Sequence, residues 1–119
     1  MGNNSTNLDY QLVLEMAEGD KEFENELLDA IITSVQDLKE KYSTGLVNAD
    51  DEMIMQARHK IKPTLALFGL ERLTEILEEG KVIIESQGFN ASGIHPHKEE
   101  FMLATGELLE ELYGIRQSV

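Results

Sequence analysis

Three cations and one imidazole fall within five consecutive positions: Arg58, His59, Lys60, Ile61 and Lys62. The chain around them is acidic. Its 119 residues carry 23 Asp and Glu against 10 Lys and Arg, a net charge of −13. One basic spot on such a chain suits a small anionic group, and chance clustering on a solvated helix is the alternative. Charge alone does not separate the two. A neutral imidazole nitrogen is a competent nucleophile near pH 7, because its ordinary pKa is about 6.5. Phosphoryl transfer asks mainly for positioning and charge stabilisation and little covalent work from the protein. A lysine one helical turn from the imidazole can make charge-assisted contacts to phosphoryl oxygens.

These residues need a helix to aim them. Ile54, Ala57, Ile61, Leu65 and Phe68 recur at helical spacing, and the acidic start Asp50-Asp51-Glu52 suits a helix N-terminus. A helix is therefore expected from near 48–51 to Gly69. At 100° per residue, His59 lies about 160° from Ile61 and faces solvent. Lys62, three residues on, shares its face, as do Met55 and Ala66. Arg58 and Lys60 sit off that face and read as solvated charges with a steering role.

The remaining chain supplies partners for this helix. A short helix is expected after Thr6 or Asn7, carrying Leu8, Val13, Leu14 and Ala17. Gly19-Asp20 stops it and caps a second helix over 21–42, with the stripe Phe23, Leu27, Ile31, Val35, Leu38 and Tyr42 and an end at Ser43-Thr44-Gly45. A fourth helix carries Leu70, Leu73, Leu77 and Ile84, with Gly80 on the stripe as a point of close packing. Residues 87–93 read as a loop. The last helix begins with Pro96 near its first position and buries Phe101, Ala104, Leu108, Leu112 and Ile115. Four long amphipathic helices with short connections predict an all-α fold: an antiparallel four-helix bundle with a short extra N-terminal helix. It forms one domain over 8–119, behind a polar leader, 1–7, expected to be disordered.

Composition narrows the function. Net negative charge disfavours nucleic acid and anionic lipid. No apolar run approaches the roughly 20 residues of a membrane span. Cysteine is absent, which removes disulfides, thiolate metal sites and thiol nucleophiles. A cytoplasmic monomer is expected. His95 and His97 flank Pro96 and supply only two local metal ligands, so they read as an incidental cap or surface pair. No Glu-x-x-His pair, Gly-rich phosphate loop, GxSxG elbow or HExxH motif occurs.

The segment from His59 to Gly69 resembles the signature of histidine-containing phosphotransfer domains, the phosphocarriers of two-component signalling. The family pattern is His, two residues, Lys, Gly, Ser, and a glycine ten positions after the histidine. His59, Lys62 and Gly69 match, and Thr64 stands for the serine. The run from Gly19 to Leu28 resembles the opening of the family's second helix, and the likeness extends over roughly 8–87. It implies that His59 is the phosphoacceptor and Lys62 steadies the phosphoryl group. Met55, Arg58, Lys60, Pro63, Ala66 and Gly69 would form the docking surface. The partners would be receiver domains of response regulators or hybrid kinases. Magnesium would sit on those partners, and the carrier would have no cofactor and no kinase activity. Pro63 departs from the pattern, for it replaces the glycine that lets a partner approach, and it predicts a kink below the active face. Arg58 is bulkier than the alanine often found before the histidine. A helical adaptor of the same fold, binding receiver domains without phosphorylation, is the alternative reading.

Overall fold

The computed structural model describes residues 6–118. They form five α-helices: α1 (Tyr10–Ala17), α2 (Lys21–Asn48), α3 (Asp51–Leu67), α4 (Glu71–Gln87) and α5 (Ile94–Ser118). No strand occurs among the described residues. The expected elements are present in the expected order. Three aspartates start the first three helices. Asp9, Asp20 and Asp50 each accept a hydrogen bond from a backbone N–H of the first turn, from Gln11, Phe23 and Met53 respectively. Each satisfies a donor that the helix start would otherwise leave unpaired.

α2 runs six residues further than its sequence pattern indicates, through Ser43-Thr44-Gly45 to Asn48. Gly45 is a contact point and does not terminate the helix. A β-carbon there would lie 2.9 Å from two side-chain carbons of Ile54, so the missing side chain lets α3 approach α2. Ala49 ends the helix in the left-handed region (φ 53°), and the Asp50 N–H closes back on the Gly45 carbonyl at 2.9 Å. The N-terminal half of the α2 stripe also differs from the expected register. Phe23 is exposed and Glu24 is buried. Glu24 tolerates burial because it accepts a hydrogen bond from the Tyr10 hydroxyl and pairs with Lys21 at 3.5 Å. The bonded carboxylate in turn pushes the Tyr10 phenol up to about 12.

Glycine does end α3. Gly69 adopts φ 63°, and the Leu70 N–H reaches back to the Leu65 carbonyl at 3.1 Å, the six-residue closure of a Schellman motif. α5 starts two residues before Pro96, which falls in the first turn, where backbone N–H groups have no helical acceptor. Of the expected leader, residues 1–5 lie outside the described residues. Thr6 and Asn7 are fastened: the Thr6 carbonyl accepts from the Arg72 backbone N–H at 3.0 Å, and the Asn7 side chain meets Arg72 and Glu111. Leu8 is buried in the core just ahead of α1.

The core is one cluster. α2 packs against α1, α3 and α5, and α4 packs against α3 and α5. Leu28, Ile31, Val35, Leu38 and Tyr42 from α2 meet Ile54 and Ile61 from α3, Leu73 and Leu77 from α4, and Phe101, Leu108 and Leu112 from α5. Burial of large aliphatic side chains contributes about 1.5–3 kcal/mol each before chain entropy is subtracted. This packing holds α3 and fixes which of its faces is left to solvent.

Candidate functional site

α3 buries Ile54, Ala57 and Ile61, and this leaves His59 exposed on the outer face. His59 lines a groove of about 890 Å³ between α3 and α4. Met55, Arg58, Lys62 and Ala66 line it from the same helix, with Leu65 along the floor side. Met55 is 54% exposed, a flexible apolar side chain beside the imidazole. The opposite wall comes from α4 and includes Leu77, Glu78, Lys81 and Glu85.

Lys81 was not legible as a site residue, because it comes from a different helix and its place is set only by tertiary packing. Together with Lys62 it gives the groove a lysine on each wall. Among the described residues no ion pair holds either lysine. Asp51, Glu52, Glu78 and Glu85 also line the groove. Local charge is therefore mixed, which disfavours accumulation of free anions.

The docking residues expected from sequence divide into two sets. Met55, Arg58 and Ala66 lie with His59 and Lys62 in the groove. Lys60, Pro63 and Gly69 do not line it. Lys60 points towards α2 and pairs with Asp37 at 3.2 Å, where it holds that carboxyl below its usual range. Gly69 is half-buried against Asp9, whose Cβ lies 2.8 Å from where a β-carbon on Gly69 would be. Its place is structural.

Pro63 is exposed and does not end the helix, which continues to Leu67. Its ring nitrogen has no hydrogen to give the carbonyl of His59, four residues back. Replacing it with alanine restores that donor. An interior proline costs about 3 kcal/mol, and its rigidity in the unfolded chain returns about 0.4–1 kcal/mol. Pro63→Ala is therefore expected to stabilise the fold by about 2 kcal/mol, read as a higher urea midpoint. An unchanged midpoint would show that α3 already absorbs the proline without loss.

Arg58 departs from its expected solvated role. It is half-buried, its Nη1 is buried with no hydrogen-bond partner, and its charge acts on Tyr42. Burial pushes the Tyr42 phenol up to about 12, with the Arg58 guanidinium pulling the other way. The Tyr42 hydroxyl is hydrogen-bonded to Nε2 of His97 at 2.9 Å. His97 is only 2% exposed, which corrects its reading as a cap or surface residue; burial holds its pKa below the ordinary value, opposed by Glu100. His95 does lie at the surface, 3.3 Å from Glu99.

Comparison with family models, with curated proteins and with solved structures finds no match for this chain.

Proposed function

We propose that this protein is a histidine phosphocarrier, relaying a phosphoryl group between aspartates of receiver domains in a two-component phosphorelay. The observation that carries the reading is the placement of His59: an exposed imidazole on the outer face of α3, in an open groove with Lys62 one turn on. A partner can approach such a nitrogen in line, and a neighbouring ammonium group can neutralise charge on the transferring phosphoryl oxygens. Resemblance of the His59–Gly69 segment to histidine-containing phosphotransfer domains supports the same reading, with Pro63 as its departure.

The packing order supports the finer architecture. Each of α2 to α5 neighbours the next, and α2 also neighbours α5, so the four close into a ring. Their connections are short. Consecutive helices joined in this way pack antiparallel, and α2–α5 are read as a four-helix bundle with α1 laid against α2.

In this account magnesium acts on the receiver domain, the chain supplies the imidazole and lysine, and it has no kinase activity. The protein works in the cytoplasm as a monomer. No helix among the described residues is long and apolar enough to cross a membrane. The test is phosphotransfer from a panel of phosphorylated receiver domains to the wild type and to His59→Gln. Acid-labile, alkali-stable label on the wild type alone is the expected result. Receiver binding that persists in His59→Gln, with no label on either protein, would replace the relay by the adaptor of the same fold.

A further inference from the structure

A second cluster of chemistry-bearing side chains lies away from the His59 groove, where α4 meets α5. A ring nitrogen of His97 and one carboxylate oxygen from each of Glu79 and Glu100 all lie within 4.8 Å of one another. The two glutamates are exposed and the histidine is buried. All three line a cleft of about 490 Å³ that opens to solvent, which gives an ion a way in.

The histidine is the informative member. Its Nε2 is occupied by the Tyr42 hydroxyl at 2.9 Å, whereas its Nδ1 is buried with no hydrogen-bond partner. A buried polar nitrogen left unpaired costs about 1–3 kcal/mol, so it calls for a partner. A metal-bound imidazole commonly has its second ring nitrogen held by a hydrogen bond that fixes the ring, and Tyr42 holds Nε2 here. Gly80 keeps that arrangement possible, because a β-carbon there would lie 2.3 Å from both Nε2 and the tyrosine oxygen.

The glutamates show the complementary strain. The Glu79 and Glu100 carboxylates converge on the same cleft from α4 and α5. Two carboxylates in one place repel each other, and a cation between them turns that repulsion into attraction. Arg72, the one arginine lining the cleft, is engaged by Glu107 and Asn7.

We propose that Glu79, His97 Nδ1 and Glu100 form a binding site for a first-row divalent cation of the Zn²⁺ class. One imidazole and two carboxylates are a ligand set that zinc accepts, with water completing a tetrahedron. The site ties α4 to α5. It is independent of the phosphocarrier reading, since no ligand belongs to α3.

The test is isothermal titration of the full chain with ZnCl₂ alone at pH 7. The expected result is saturable binding of one ion per chain. The double variant Glu79→Gln, Glu100→Gln should bind at least about tenfold more weakly. Both glutamates are exposed, so the double variant keeps the buried His97–Tyr42 bond, and circular dichroism checks its helix content. Nitrogen-15 spectra of the histidine rings give a second readout: Zn²⁺ should move Nδ1 of His97 and leave His95 in place. His59→Gln should bind as the wild type does. Absence of saturable binding overturns the proposal, as does binding that survives the double variant or disappears in His95→Gln.

Discussion

Gly80→Ala is expected to destabilise the protein by about 1–3 kcal/mol, the range of an overpacked interior. In an ordinary helix the same substitution stabilises by about 0.8–1.0 kcal/mol, because alanine is the better helix former. The sign reverses here because the added methyl would collide with a hydrogen-bonded pair. Its position is 2.3 Å from the Tyr42 hydroxyl and from His97 Nε2. Neither group can withdraw easily. Tyr42 is wholly buried with its ring centre 4.5 Å from that of Phe101, and His97 is 2% exposed. The control is Gly114→Ala, in the same class of helix interior. A β-carbon at Gly114 meets nothing within 4 Å, and the residue is exposed. That variant should gain about 0.5–1 kcal/mol. Urea unfolding of the three proteins decides the matter. Equal shifts for the two variants would mean that α4 and α5 are not in contact as described.

Lys62→Ala is expected to slow phosphoryl transfer about tenfold, while Lys60→Ala transfers at close to the wild-type rate. A buried donor aimed at developing charge contributes about 10²–10³ in rate, and an exposed ammonium group contributes less because water screens it. The contrast between the two lysines follows from their places. Lys62 lines the groove with His59, whereas Lys60 is drawn to Asp37 on α2. Loss of the Lys60–Asp37 pair should alter stability by at most about 1 kcal/mol. Quenched-flow transfer from a phosphorylated receiver domain measures both rates. Equal losses for the two variants would point to diffuse steering by positive charge instead of a contact made by Lys62.

The helices were legible because their apolar spacing is strong and their caps are explicit. Ile54, Ala57 and Ile61 identify the buried face of α3, and with it the exposure of His59. Asp20 and the acidic start at Asp50 give two helix starts almost to the residue. The end of α2 was harder to place. Ser43-Thr44-Gly45 has the composition of a stop, yet Leu46 is buried beyond it and Gly45 is needed where α3 crosses. Gly69 and Gly80 were legible, the first as the stop after α3 and the second as a close contact on the α4 stripe.

Buried polar residues are likewise hidden from local spacing. Glu24 occupies a core position of the α2 stripe, but its charge makes Phe23 the natural choice until the Tyr10 hydroxyl is seen to satisfy it. His97 looks like one half of a surface His-x-His pair, because its partner Tyr42 is 55 residues away. Lys81 and the cluster of Glu79 and Glu100 likewise join residues from separate helices. No local spacing could indicate them. Within α3, the geometry of His59, Lys62, Met55 and Ala66 follows from 100° per residue, so that part of the site was readable from the sequence.

Passage of the phosphoryl group through His59 is tested by mapping the modified residue. After incubation with a phosphorylated receiver domain, the protein would be digested at alkaline pH, where phosphohistidine persists, and the labelled peptide sequenced by mass spectrometry. A single phosphohistidine, at His59, is the expected result. Phosphate on His95 or His97, or no phosphate from any donor that binds, would contradict it.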